Sequence, residues 1–379
     1  MKLEQVFEPR RNTLNLFRLG LAAEVMLFHS WPITGHMPPH ALLQLMFAVG
    51  VDGFFAISGF LITASWLRDP RVRDYLAARA LRILPGLYVC LIITAFVFAP
   101  LSVAVQGGSP AKLLQSSAPF TYVLNNATLI SVLQFDVAGT PLKVASPGIW
   151  NASLWSLIWE VLCYIAIAVI GVVGLANRRW LSPAILALAV LGATLLPPLT
   201  FPGSWTIPQL AVRSAIMFSA GALMYQWRGT IPARWSLVAV SVVIVVAAAV
   251  SLPDYRVVAA LPLAYAVIVS GALIRKERLT LRTDLSYGYY IYAFPTQQLL
   301  VIFGLGFLHP AVFFVVAVIA TLPLAALSWF CIEKPAMKLK SRLKRKWSAP
   351  GRRKADGTPE ATATDPVTGQ PTSGVHGAA

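Results

Sequence analysis

Apolar residues run along this chain in long blocks, broken by short charged segments. Ten blocks stand out: residues 13–34, 44–67, 83–105, 149–175, 181–199, 208–227, 235–252, 256–274, 285–306 and 310–332. A helix that crosses a bilayer needs about 20 apolar residues, with tolerance for tilt. Each block is of that order. The pattern predicts an all-α fold, a polytopic membrane helix bundle of about ten transmembrane helices. Pro and Gly are frequent in the fifth to eighth blocks, whose limits are the least sharply drawn.

Composition agrees with that class. Of 379 residues, 57% are hydrophobic and 12% charged, and the mean hydropathy is +0.68. A soluble domain carries about 25% charged residues. The net charge of +16 invites a nucleic-acid ligand until the basic residues are placed. All but four of the 31 Lys and Arg (the four being Lys112, Lys143, Arg213 and Arg256) fall in a few segments. These are the first 18 residues, the loop 68–82, the pairs Arg178/Arg179 and Arg228/Arg234, the cluster 275–282 and the run from Lys334 to Lys354. With ten crossings these segments share one side, and the positive-inside rule puts that side and both termini in the cytoplasm. The charge is then chiefly a topology signal, with no nucleic-acid partner, although a cytoplasmic surface for anions is compatible with it.

Cys90, Cys163 and Cys331 lie inside apolar blocks without metal-ligand or pairing spacing, and read as small buried hydrophobes. No metal site is expected. The first block has no small-residue cleavage site and reads as a retained anchor. Residues 1–347 form the membrane domain and 348–379 a disordered cytoplasmic tail, too polar to bury a core. The stretch 334–347 reads either as topology signal or as a basic amphipathic helix on the anionic inner leaflet. Residues 106–148, on the external side, are long enough to cover a substrate mouth.

The ionisable residues inside the blocks carry the chemistry. A charge at the centre of a membrane helix costs about 2.5–3.5 kcal/mol on insertion scales, so such groups face protein or a wet cavity. Arg18 and His29 are eleven positions apart. On a helix that separation returns to within about 20° of the starting face, with a rise of about 16 Å. Arg18 then sits near one membrane surface and His29 above it in the far half of the bilayer. Asp52 enters the second block at a depth similar to His29. It reads either as a partner that orients the imidazole or as a carboxylate bonded to backbone near a helix start. Glu160, near the midplane, reads as an ion-pair partner of Arg18 or Arg213, or as a contact for substrate hydroxyls. Glu24 lies about 140° around the helix from His29.

Six motifs occur in order: Arg18 and His29 in the first block, then GVDGFFAISGFLI (50–62), RALRILPGLY (79–88), WSLIWEVLCY (155–164), SYGYYIYAFP (286–295) and IEKP (332–335). Together they resemble the acyltransferase-3 family of integral membrane O-acyltransferases, over residues 14 to 335. The resemblance implies transfer of an acyl group, commonly acetyl, from cytoplasmic acyl-CoA to a hydroxyl of a cell-surface or secreted carbohydrate or glycolipid. It makes residues 1–347 a transmembrane acyltransferase domain of a bacterial inner membrane. Acyl-CoA is then a co-substrate, and no bound cofactor is expected. Many relatives read His where this chain has Ala293, so any mechanism that needs two histidines is in doubt here.

The residue chemistry accords with that resemblance. Arg79 and Arg82, at spacing i, i+3, share a helix face beside the cytoplasmic end of the third block. With Arg18 they suit the phosphates of acyl-CoA; for Arg79 and Arg82 the plainer reading is positive-inside anchors. The Arg18–His29 rise is on the order of the length of the pantetheine arm. His29 is the candidate base for the acceptor hydroxyl, or carries the acyl group itself for one step. Asp52 is its candidate orienting partner. Glu160, Ser156, Ser286, Tyr287 and Arg213 are candidates for acceptor contact or structural support. The alternative class is a transporter or flippase of a glycoconjugate, which would release no free CoA. The sequence is silent on oligomeric state.

Overall fold

The computed structural model describes residues 1–9, 11–129, 134–281 and 283–339. The predicted tail 348–379, most of the basic stretch 334–347, Arg10 and Arg282 lie outside the described residues. All ten apolar blocks form helices. These are α1 (Leu14–Ile33), α2 (Leu43–Arg68), α3 (Val72–Ile93), α4 (Trp155–Val172) and α5 (Leu181–Leu195), followed by α6 (Ile207–Gln226), α7 (Trp235–Ser251), α8 (Arg256–Leu273), α9 (Ser286–Ile302) and α10 (Pro310–Ser328). A π turn at Thr94–Phe98 carries α3 on into Ala99–Val105, and another at Trp329–Glu333 follows α10.

Six of these helices, not ten, are long and apolar enough to cross a membrane: α2, α3, α4, α6, α8 and α10, each taken with its flanking turns where it has them. The expectation of about ten is corrected on two physical grounds. The apolar α5 and α7 have 15 and 17 residues, which reach only about 22–26 Å at 1.5 Å per residue, short of a bilayer core of about 30 Å. The α1 and α9 helices spend their polar side chains on the interior. Ser286 through Leu299 of α9 are all buried, including Ser286, Thr296, Gln297 and Gln298. Such a helix is surrounded by protein rather than lipid, so hydropathy understates its place in the bundle.

Lipid-facing character shows on the outer helices. Leu162, Ile165 and Val169 of α4, Leu188 and Leu191 of α5, Val243 and Val250 of α7, and Ile319 and Leu327 of α10 are exposed. Exposed leucines and valines along whole helix faces suit hydrocarbon, not water. Inside, α2 lies against α6 with almost no gap. A Cβ at Gly59 would strike the Phe218 carbonyl, and one at Gly221 the Ala56 carbonyl. Glycines at these two crossings let the backbones touch, the small-residue packing that membrane helices use in place of a hydrophobic drive.

The basic segments gather at one end of the bundle. Leu3 N donates to Ile231 O and Ala233 N to Met1 O, joining the N-terminus to the α6–α7 loop. Arg275 reaches the Val6 carbonyl, and Trp227 Nε1 the Arg179 carbonyl. At the other end Gln44 ties the start of α2 to Leu252 and Tyr255 in the α7–α8 loop. His309 Nδ1 caps α10 there by accepting from Ala311 N. Of the three free cysteines Cys90 is buried and Cys163 half-buried, but Cys331 is exposed, contrary to the expected burial of all three. Its position on the outward side of the π turn exposes it.

Candidate active site

At the basic end α1, α3 and the start of α9 converge on one carboxylate. Asp284 stands two residues before Ser286, whose Oγ donates to Asp284 Oδ1 at 2.5 Å. The second oxygen, Oδ2, accepts from Arg18 Nη1 and from Arg82 Nη2, each at 2.5 Å. Arg82 Nη1 also faces Glu333 at 3.4 Å, and Ser328 donates to Glu333 at 2.9 Å. Burial pushes the Asp284 carboxyl up, but Arg18 and Arg82 outweigh it and hold the group below the ordinary carboxylate range. Arg79 makes no ion pair among the described residues. Its guanidinium lies 5.8 Å from the Tyr164 ring centre, and its Nε is buried without a partner. This mouth opens on a hollow walled by Arg18, Arg79, Arg82, Asp284, Glu160 and Tyr287, among others. The wall itself carries three guanidiniums against two carboxylates, Asp284 and Glu160, and is net cationic, while Glu333 stands outside that wall against Arg82.

Two further hollows adjoin it. The middle one shares Arg18, Phe54, Ser58, Glu160 and Tyr287 with the first. The third holds His29 and shares Val51 and Tyr290 with the middle one. Arg18 lines the first and the middle hollow, and His29 the third. Ser146 and Ile149 contribute to the wall of the third hollow, so the end of the long 106–148 segment and the residue after it form part of that wall.

His29 is held in place from both sides. The imidazole lies edge-on to Phe28 and Phe294, with centroids at 5.3 and 5.1 Å. The α9 residue Gln297 donates to Met26 O at 3.0 Å and to Ser30 Oγ at 2.8 Å, pinning α1 on either side of His29. Ala293 is buried and belongs to none of the three walls.

Asp52 is not beside His29. It is fully buried and accepts from Arg213 Nε at 2.9 Å, Arg256 Nε at 2.6 Å and the Tyr255 hydroxyl at 2.6 Å. No hydrogen bond joins it to His29 among the described residues. The correction follows from helix phase: Phe47 and Val51 of α2 face the His29 hollow, and the next residue is turned about 100° away, toward α6 and α8. The same network accounts for Arg213 and Arg256, the basic residues inside the blocks that the charge rule left over. Of the two roles expected of Glu160, the ion pair with Arg18 or Arg213 is not formed among the described residues. Glu160 accepts from Ser58 Oγ at 3.2 Å and from the Tyr164 hydroxyl, one helical turn on. Both Glu24 oxygens are buried without a hydrogen-bond partner.

The remaining candidates are engaged. Ser156 Oγ lies 2.8 Å from the Tyr290 hydroxyl and 3.3 Å from the Ser153 carbonyl. The Tyr287 hydroxyl donates to Ile83 O at 2.7 Å, and its ring lies 5.8 Å from the Arg82 guanidinium. Reading the sequence missed Asp284, Glu333 and Gln297. The signal was present for the two acids: Glu333 is inside the IEKP motif and Asp284 is two residues ahead of SYGYY.

Comparison with known proteins accords with this geometry. The acyltransferase domain of the acyltransferase-3 family matches residues 11–330. "Nodulation protein 10" of Rhizobium leguminosarum bv. viciae is 28% identical, over 88% of this chain and 95% of its own length. An "O-acetyl transferase" of Shigella phage Sf6 is 27% identical, over 86% of this chain and 96% of its own length. No solved structure matches. A helix bundle with lipid-facing sides, a cationic mouth and a histidine chamber, matched along most of its length by one domain, thus belongs to the acyltransferase-3 family of membrane carbohydrate acyltransferases.

Proposed function

We propose that this protein transfers an acyl group, acetyl first among the choices, from acyl-CoA entering at the cationic mouth to a carbohydrate hydroxyl that meets it at His29. The membrane is the bacterial cytoplasmic membrane, with both termini and the basic end inside. The single observation that carries the reading is the row of three adjoining hollows, with Arg18 at its first two and His29 at its last. Along α1 the two are separated by a rise of about 16 Å, which suits a pantetheine arm anchored by its phosphates at the mouth.

Arg79, with no carboxylate of its own, and Arg18 and Arg82, fixed by Asp284, receive the phosphates; guanidinium forks match that geometry. At the far end neutral His29 takes the acceptor hydroxyl proton as the oxygen attacks the thioester carbonyl. The tetrahedral intermediate collapses, the C–S bond breaks, and the imidazolium returns the proton to the departing CoA sulfur. Glu160, in the wall of the first two hollows, orders the path by its bonds to Ser58 and Tyr164. Ser156, Ser286 and Tyr287 support the walls. Direct transfer is favoured over an acyl-His29 intermediate because the two substrates reach one chamber from opposite ends.

The test is mass spectrometry of surface glycans from a deletion strain complemented with wild type or His29→Ala. Wild type restores an acyl ester and His29→Ala does not. If wild type restores none, the proposed function is wrong. If His29→Ala restores it fully, only the catalytic assignment fails.

A further inference from the structure

The hollow around His29 is walled by aromatic rings from separate segments. Phe47 of α2, Trp155 at the start of α4, and Phe201 and Trp205 of the α5–α6 loop form one cluster. Phe47 and Trp205 have ring centroids 5.1 Å apart, Trp155 and Trp205 5.8 Å, and Phe47 and Phe201 5.7 Å. Phe28, next to His29, meets Phe201 at 5.0 Å. The cluster is backed by a buried cation. The Arg213 guanidinium lies 5.3 Å from the Phe47 centroid and 5.2 Å from that of Trp155, and Asp52 holds it there. Cation–π contact of this kind is strongest where water is excluded. The rings are therefore a braced surface.

Two polar groups on this wall are already occupied. The Tyr290 hydroxyl bonds Ser156 and the Ser153 carbonyl, and Trp205 Nε1 donates to Thr200 O at 2.9 Å. Trp205 thus has its ring, not its donor, to offer a ligand. A ligand read through hydrogen bonds alone would need free donors and acceptors here. A pure hydrocarbon would leave the imidazole without work. The ligand that fits has an apolar face and a hydroxyl rim, which is a pyranose. The C–H groups on one face of the ring pack against the electron-rich face of an aromatic side chain, while the hydroxyls at the rim remain free for His29.

We infer that Trp205, with Trp155 and Phe201 beside it, is the stacking platform on which the acceptor sugar ring rests while one of its hydroxyls meets His29. The inference builds on the acyl-transfer reading above and names the acceptor-binding residues within it. Trp205 acts on binding and orientation, so its loss falls on the acceptor and spares the donor.

The experiment uses the full chain in lipid nanodiscs with radiolabelled acetyl-CoA, and as acceptor probe the delipidated surface glycan of the deletion strain. Trp205→Ala is expected to raise the apparent KM for glycan about tenfold, a difference of about 1.4 kcal/mol, with the KM for acetyl-CoA within about twofold of wild type. Trp205→Phe keeps a stacking face and is expected to recover most of the loss. The preserved donor KM reports an intact fold; if Trp205→Ala loses that too, Phe201→Ala takes its place in the comparison. Unchanged glycan KM in these variants, with wild type active, overturns the platform and leaves the acyltransferase standing. An effect seen only with lipid-linked glycan also overturns it, since the wall would then serve the lipid. If wild type neither transfers acetyl nor releases CoA, the proposed function falls first and the platform with it.

Discussion

Arg18 and Arg82 meet at one oxygen: both guanidiniums lie 2.5 Å from Asp284 Oδ2. That junction joins α1 and α3 to the start of α9 at the end of the bundle where the basic loops gather. It sets the spacing of two cations, and it leaves Arg79 as the one of the three without an ion pair among the described residues. The mouth is thus assembled from charges that compensate each other in part. It is attractive to phosphate without being a bare cluster of like charges.

Asp284→Asn removes the charge that spaces Arg18 and Arg82. The apparent KM for acyl-CoA is expected to rise by about an order of magnitude, since interactions with charged groups are worth about 1.5–3 kcal/mol. Saturation kinetics in nanodiscs check this. A KM unchanged from wild type would show that the junction is structural only.

The same carboxylate makes a pH prediction. Burial alone would raise it, yet Arg18 and Arg82 hold its folded value below the unfolded one. Its stabilising contribution is therefore fully present above the unfolded value of about 3.9 and is lost as the pH falls through the folded value. Thermal unfolding of wild type in detergent should show no Asp284-dependent change between about pH 5 and 8. On acidification wild type should lose stability that Asp284→Asn lacks from the start.

Asp52→Ala strands the buried Arg213 guanidinium and leaves Arg256 only its pair with Asp254 at 3.0 Å. Breaking a buried pair by removing one partner costs about 3–5 kcal/mol, so little folded protein is expected by fluorescence-detected size exclusion. Asp52→Asn retains hydrogen bonding and is expected to fold with a lowered melting temperature. A variant at Asp52 with normal stability and abolished turnover would instead restore Asp52 to the chemistry.

Arg79→Ala is expected to weaken acyl-CoA binding while leaving turnover at saturation near wild type, because the proposed function gives it a contact to the donor's phosphates in ground and transition states alike. Arg79→Lys should recover only part of this, as an ammonium lacks the planar fork. The wild-type affinity should fall with added salt more steeply than that of Arg79→Ala.

Gly59→Ala and Gly221→Ala each put a methyl group onto the backbone of the facing helix. Overpacking costs about 1–3 kcal/mol, and here the obstacle is a carbonyl that cannot rotate away. Both are expected to melt well below wild type, and the pair to be worse than either, since they act on the same α2–α6 seam.

The sequence determined this protein's class, its helices and the one-sided placement of its charges, because apolar length and basic loops are local properties of the chain. It also determined that Arg18 and His29 share a face, since helix geometry fixes the phase of two residues on one element. Only the tertiary structure decided who meets whom across elements. Asp52 went to Arg213 and Arg256 because one step along α2 turns it from one neighbouring helix to another. Glu160 found Tyr164 and Ser58 instead of an arginine. Asp284, in a connecting loop, became the hub of the mouth because three chain segments meet there, and no periodicity announces such a meeting. The number of helices able to cross a bilayer fell from ten to six for a related reason. Hydropathy counts apolar length, whereas helix ends and interior-facing polar groups are settled by packing.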